Sequence, residues 1–405
     1  MKRSVVIIGG GPAAMMLAAT LDQQKFDISI FEKNKALGRK FLVAGQGGFN
    51  LTHSETIEPF INRYSPLEFI EPLIRSFSNT DLRGWLNDAG IPTLVGSSNR
   101  VFPIDGIKPV QVLDAILDKL KKNNVQLFTE HSWLGWDKNE QLVFKSNEKQ
   151  IILKPDITVF ALGGASWKVT GSDGLWTEYF RGKGIDLIPF QPSNCAFQVD
   201  WPKALLASCE GQPLKNIAVS CSGKEKKGEL VITSFGIEGG AVYALSPQIR
   251  SELNSKQSAT VYLDLKPSLN ETEIKQQLKN RPLKIALGKF LLDTIKLSKT
   301  QLALLKSLTS KDDFTRSETL ASLIKKLPLT ITGMAPVDEA ISTVGGIPLN
   351  EIDANFQLKK LKNNYVIGEM LDWDAPTGGY LLQACFSMGN VLGKHLNHLT
   401  SFETL

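Results

Sequence analysis

The sequence predicts an α/β fold in which a Rossmann-like dinucleotide-binding domain is interrupted by an inserted β domain and a small helical domain. A continuous apolar run, Ser4-Val5-Val6-Ile7-Ile8, ends directly in the turn Gly9-Gly10-Gly11-Pro12-Ala13-Ala14. An acidic residue, Glu32, closes a second apolar strand about twenty positions later. The middle of the chain then leaves this pattern for short β-rich pieces and, after them, helical spacing.

The first run has the character of a parallel strand buried on both faces. Its turn has the form G-x-G-x-x-A: Gly9 permits the tight bend, Gly11 lets backbone approach a pyrophosphate, and Ala14 is small enough for the next helix to pack on the strand. Pro12 suits the first helical position, where a missing N–H costs nothing. A helix from Ala13 to about Leu21 directs unpaired amides at the phosphates. The strand Ile28-Ser29-Ile30-Phe31 then delivers Glu32 as acceptor for a ribose hydroxyl. A glycine turn that only packs a βαβ unit does not need Glu32 there.

The residues beyond Glu32 separate FAD from NAD. After Lys33 come Arg39 and Lys40, then Ala44-Gly45-Gln46-Gly47-Gly48-Phe49-Asn50-Leu51-Thr52, a basic and glycine-rich loop where a dehydrogenase continues into helix and strand. Such a loop can wrap the longer cofactor with backbone donors; a plain surface connection is the competing account. A strand over 157–161 ends in Leu162-Gly163-Gly164, small residues that allow close approach at Ala161, Leu162 and Gly163, as a tight turn also would. Tyr365-Val366-Ile367 forms another strand. Beyond it, Gly368, Glu369 and Asp372 precede Thr377-Gly378-Gly379-Tyr380, which opens an apolar helix to about Leu396. Amides at that helix start would stabilise the negative charge of a reduced flavin, with helix capping by Thr377 as the alternative.

Composition narrows the function classes. With 42% hydrophobic and 21% charged residues, the 405-residue chain can bury a sizeable interior. The formal charge of +5 comes from 46 basic against 41 acidic residues, a weak surplus. The patches Lys119 to Lys122 and Lys224 to Lys227 lack interleaved aromatics and arginines, so they are expected to be solvated surface and nucleic acid is not the expected partner. Cys195, Cys209, Cys221 and Cys385 form no C-x-x-C pair, so no metal site is expected and a reducing cytoplasm fits. The apolar run after Met1-Lys2-Arg3 stops at Gly9, short of a signal peptide, and no stretch reaches membrane-span length. Nothing in the pattern fixes an oligomeric state.

Four separated motifs together resemble the BaiN/YhiN-type flavoproteins, a family labelled NAD(P)/FAD-dependent oxidoreductases or aminoacetone oxidase family enzymes. They are residues 6–13, Gly38-Arg39-Lys40, Gly345-Gly346-Ile347, and Gly368-Glu369-Met370-Leu371-Asp372 with Thr377-Gly378-Gly379-Tyr380. The resemblance spans the chain and implies an FAD domain of glutathione-reductase type at 1–189 and 341–405, an inserted β domain at 190–265 and 327–340, and a helical module at 266–326. It also implies that Thr233 to Gly240 lies at the open face of the flavin. Composition alone makes that segment a hairpin and turn. Two departures matter. Gly45-Gln46-Gly47-Gly48-Phe49-Asn50 stands where many members read Gly-Gly-Gly-Arg-Cys-Asn, so the loop has no thiol, and Leu381 stands where Asn is usual.

The expected activity is hydride transfer between a small-molecule substrate and flavin N5, with Tyr380 and Glu238 as candidates for proton handling. His53 is the one histidine in the cofactor loop. No second G-x-G-x-x-G is present, so reduction by NAD(P)H would occur by transient docking, and reoxidation by dioxygen is the other route. A flavin-dependent RNA-modifying or RNA-binding protein and a non-catalytic FAD redox sensor are the rival readings.

Overall fold

A computed structural model of the chain describes residues 1–43 and 49–399. The chain divides into two compact units: Met1–Gln191 with Ser342–Leu405, and Pro192–Ile341.

The first unit is built on a parallel sheet. Its strands are β1 (Arg3–Ile8), β2 (Phe26–Phe31), β3 (Gln126–Phe128), β4 (Ile157–Phe160) and β5 (Asn364–Val366), in the order β5-β4-β1-β2-β3. β1 therefore lies between β2, its successor, and β4, which comes much later in the chain. Val5 to Ile8 pair with Ile157 to Phe160 on one side and with Ile28 to Phe31 on the other. The β-branched run is central because a strand covered on both faces needs apolar side chains at every position; Val5, Ile7 and Ile8 are at most 1% exposed. At the point where strand order reverses, a crevice opens outside the carboxyl ends of β1 and β4.

Helix α1 (Pro12–Thr20) comes directly after β1 and packs along the long C-terminal helix α2 (Tyr380–His398). Both helices are made for close approach. Six of the nine residues of α1 are buried, among them Ala13, Ala14 and Ala18. On α2, a Cβ at Gly389 would lie 2.3 Å from the Ala13 carbonyl oxygen, and one at Gly393 would lie 2.7 Å from Thr20 Cβ. Between β3 and β4 an antiparallel meander, Ser132–Trp136, Leu142–Ser146 and Lys149–Leu153, lays Trp133 and Trp136 against Phe160 and Phe180.

The second unit has its own core. An antiparallel sheet contains Pro213–Cys221, Lys224–Ile232, Ala259–Asp264 and Leu327–Ile331. Helices Glu271–Lys279, Lys299–Leu308 and Ser317–Lys325 bury Ile274, Leu304 and Leu320 with Val219, Leu230 and Leu263 of the sheet in one cluster. Among the described residues, no helix is long and apolar enough to cross a membrane.

Candidate functional site

The glycine turn is held by the strands on either side of β1. Gly9 has φ +103°, its N–H donates to the Phe31 carbonyl at 2.8 Å, and a Cβ there would lie 2.4 Å from the Ala161 carbonyl oxygen. Gly10 donates to Glu32 Oε2 at 2.8 Å and accepts from the Gly38 amide. Gly11 differs from both. Its φ is −83°, and a Cβ would meet no atom within 4 Å. Nothing in the protein therefore requires glycine at this position, which is what a cradle reserved for a close ligand looks like. No side chain caps α1, so the amides of its first turn are left for that ligand.

Glu32 is 9% exposed and stands at the carboxyl end of β2. One oxygen accepts from Gly10, and the other accepts from the Asn34 amide at 2.8 Å and from Asn34 Nδ2 at 2.6 Å. Two carboxylate oxygens offer about four acceptor positions, so one stays open for a ribose hydroxyl.

These groups face a cleft of about 330 Å³. Its cations already have partners: Lys33 pairs with Asp173 at 2.7 Å, Arg39 donates to Asn34 Oδ1 at 2.9 Å, and Lys40 donates to Ser166 Oγ at 2.7 Å and to Glu369 at 3.1 Å. Across the cleft, Ala161, Leu162 and Gly163 continue from β4, and Trp133, Trp176 and Tyr179 supply apolar wall. The segment Thr170 to Leu175 straps this wall to the tip of β2, so closely that a Cβ at Gly171 would lie 2.5 Å from Asn34 Nδ2.

The start of the C-terminal segment meets the same cleft. Glu369 lines it, and a Cβ at Gly368 would lie 3.4 Å from that of Ala13. Asp372 is used otherwise: its carboxylate accepts the Gly345 amide at 2.8 Å and so fastens the turn Gly345-Gly346. At the start of α2 the N-cap is Gly379, with φ +93°. A Cβ at Gly379 would lie 2.5 Å from Thr52 Cα, which ties this helix start to the loop after the glycine-rich segment.

Around that second turn lies a buried polar network. The Tyr380 hydroxyl donates to Glu55 at 2.6 Å, Arg63 forms a two-pronged pair with the same carboxylate, and the His53 ring stacks on Tyr380 at 5.2 Å. Thr52 Oγ1 donates to Gln383 at 2.8 Å, Leu51 is fully buried, and Asn50 Oδ1 is buried without a partner. Burial and the Glu55 carboxylate push the Tyr380 phenol well up, so it keeps its proton. Burial works against the charge on Glu55, yet hydrogen bonds from Arg63 and Tyr380 outweigh it and hold the carboxyl below its usual range.

The residues singled out in the sequence thus fall into groups. Gly9, Gly11, Pro12, Glu32, Lys33, Arg39, Lys40, Ala161, Leu162, Gly163 and Glu369 line one cleft, with Ala13 and Ala14 buried beneath it. Asn50, Leu51, Thr52, Gly368, Asp372, Thr377, Gly378, Gly379 and Tyr380 do not line it. Gly45, Gln46, Gly47 and Gly48 lie outside the described residues. Glu238 ends the strand Gly236–Glu238 of the inserted unit. Sequence reasoning passed over Asn34, Trp133 and the strap with Asp173. Of these only Gly171, a glycine downstream of the Gly163 turn, carried a local signal.

Comparison with known proteins agrees with this geometry. Residues 3–395 match the family described as HI0933-like protein Rossmann domain. The ribosomal RNA dihydrouridine synthase of Haemophilus influenzae is 26% identical over 392 residues, covering 94% of this chain and 95% of that protein. The 3-dehydro-bile acid delta(4,6)-reductase of Clostridium scindens is 24% identical over 411 residues, covering 96% and 97%. Among solved structures, a 3-ketosteroid-delta4-(5alpha)-dehydrogenase from Rhodococcus jostii superposes with a TM-score of 0.50 at 13% identity, covering 98% of this chain and 97% of that one, a likeness of fold.

Proposed function

Since the chain belongs to the HI0933-like Rossmann family and is an FAD-dependent oxidoreductase, we propose that it passes hydride between flavin N5 and a carbon–carbon double bond conjugated to a carbonyl. The observation that carries the reading is Gly11: a backbone cradle with no protein neighbour, between an uncapped helix start and the open acceptor position of Glu32. These residues fit the adenosine and pyrophosphate of FAD. The α1 amides would hold the phosphates and Glu32 the ribose, while Trp133, Tyr179 and Trp176 would give the base apolar cover.

The Haemophilus influenzae and Clostridium scindens relatives favour the bond type. One is a dihydrouridine synthase and the other a delta(4,6)-reductase of a 3-dehydro-bile acid. In each substrate the double bond is polarised by a carbonyl, so hydride adds to the distant carbon and a proton to the near one. Bound FAD supplies the hydride, and NAD(P)H is the donor that restores it.

The chain's own part is positioning and proton supply. Tyr380 holds its proton against Glu55 beside the start of α2, and is the first candidate to shape proton delivery. Lys40, Ser166 and Glu369 form the hydrogen-bonded floor where the C-terminal segment meets the cleft.

Two measurements test the reading. Heating the purified protein should release a ligand with the mass of FAD. Protein reduced anaerobically by NADPH should recover its visible flavin band when mixed with a uridine-containing RNA or a 3-oxo-4-ene steroid. A band that stays bleached with both would remove conjugated double bonds as the target.

A further inference from the structure

A small antiparallel sheet beside the second glycine turn gathers groups that the cofactor cleft does not use. Its strand Thr52–His53 pairs with Arg100–Pro103, Thr52 opposite Val101 and His53 opposite Arg100. Thr52 and Val101 are fully buried, so the alternation of a strand turns His53 and Arg100 together to the other face. There the His53 ring stacks on Tyr380. The turn before α2 reaches the same place. A Cβ at Gly378 would lie 3.3 Å from Tyr380 Cε2 and 3.9 Å from Arg100 Nε, on a backbone with φ +117°.

Arg100 is a cation that nothing in the protein claims. Neighbouring arginines are engaged: Arg63 pairs with Glu55, Arg75 with Glu58 and Glu71, and Arg83 donates to Thr93. Among the described residues the Arg100 guanidinium has neither a hydrogen bond nor an ion pair, and its side chain is exposed. His53 adds no second charge, because burial, the largest influence on it, lowers its pKa and keeps the ring neutral at pH 7. Tyr380 adds no second donor, since its one hydroxyl proton is committed to Glu55. What is left is a free guanidinium beside a pair of stacked rings and a turn without side chains. That combination suits a flat, conjugated ligand carrying negative charge on oxygen.

We propose that Arg100 is the counter-cation for the delocalised oxyanion that hydride transfer creates. When hydride adds to the far carbon of a double bond conjugated to a carbonyl, the displaced electron pair moves to the carbonyl oxygen. The charge stays on that oxygen until a proton reaches the near carbon. A reduced flavin carries charge of the same kind, spread over N1 and the C2 carbonyl. Arg100 and the open turn at Gly378 suit either source. Lys33, Arg39 and Lys40 are committed to Asp173, Asn34, Ser166 and Glu369, so none of them is free for this part. The inference rests on the FAD and double-bond reading above and adds the group that takes up the charge.

The test uses the full-length FAD-loaded protein with R100M, which removes the charge, and R100K, which keeps it. Arg100 is exposed and unpaired, so both variants should keep the wild-type melting temperature. Sulfite adds to flavin N5 and leaves negative charge at the pyrimidine end. Its affinity, read from bleaching of the visible band, should fall roughly tenfold or more in R100M and recover in R100K. That result assigns the flavin as the source of the charge. An unchanged sulfite affinity, with reoxidation of NADPH-reduced R100M by a 3-oxo-4-ene steroid slowed roughly a hundredfold and rescued by R100K, assigns the substrate. Wild-type values for both measurements in R100M would overturn the proposal. So would a loss in R100K equal to that in R100M, because it would mark shape in place of charge. R100Q repeats both measurements if R100M sheds its FAD. The sulfite arm needs no substrate, so a steroid that fails to reoxidise even the wild type would count against the double-bond reading and leave Arg100 to be decided by sulfite.

Discussion

Gly9 and Gly11 stand two positions apart in one turn and answer to different neighbours. A side chain at Gly9 meets the Ala161 carbonyl at 2.4 Å on a backbone that disfavours L residues, so G9A should cost at least ~2 kcal/mol of stability. At Gly11 the backbone is ordinary and the space is open. G11V should fold with the melting temperature of the FAD-free wild type and fail to take up FAD in a fluorescence titration. Equal FAD affinity in G11V would show that the cradle is not a cofactor site. The Tyr380 network makes a second claim, about acid. The folded carboxyl of Glu55 lies below its usual range, so its contribution is present above the unfolded value and is lost as pH falls through the folded one. His53 is lowered by burial, so it too favours the folded state more as pH rises. Stability should decline as pH drops below about 6.5, where an unfolded His53 gains its proton, and more steeply below about 4.3, where Glu55 does the same. Y380F removes one hydrogen bond to a half-buried carboxylate that keeps its Arg63 pair, and should cost roughly 1.5 kcal/mol in denaturant melts at neutral pH.

Two elements decide whether the cleft keeps its shape. The first is the contact between α1 and α2, which positions the amide end of α1. G389A puts a methyl group 2.3 Å from the Ala13 carbonyl, forcing the helices apart. Its melting temperature and FAD affinity should fall together, whereas a loss of stability alone would uncouple the two. The second is the strap from Thr170 to Leu175, held by the partly exposed Lys33–Asp173 pair. Such a pair adds little to stability, so D173A should leave the melting temperature nearly unchanged and speed FAD release in stopped-flow dilution. The two elements were not equally readable. β1, its turn, α1 and Glu32 are contiguous in sequence, and each residue type has one conformational reason to be there. The strap comes from about 140 positions beyond Lys33, and its key residue, Asp173, has no periodic or turn pattern to mark it. Its role exists only once β1 has gathered β2 and β4 on its two sides.

At the scale of the whole molecule, two cores share one chain, and only one of them contains the glycine turn. FAD at a hundred times its dissociation constant should stabilise the first unit by about 2.7 kcal/mol. Calorimetry should show that transition rising while the transition of the inserted unit stays in place. The family and the α/β class could be read from separated motifs. The division of charge, 20 basic against 15 acidic residues in 192–341 and 26 of each elsewhere, could not, because it emerges only when the crossings at Gln191 and Ile341 are known.

That division has a practical reading when set beside the paired cations of the cofactor cleft. Lys33, Arg39 and Lys40 are already satisfied by Asp173, Asn34, Glu369 and Ser166. On the proposed reading a dinucleotide would be recognised there by fit and amide hydrogen bonds, with little pull at a distance. A purification column run in strong brine should thus keep its yellow band, because salt screens charge and leaves amide hydrogen bonds in place.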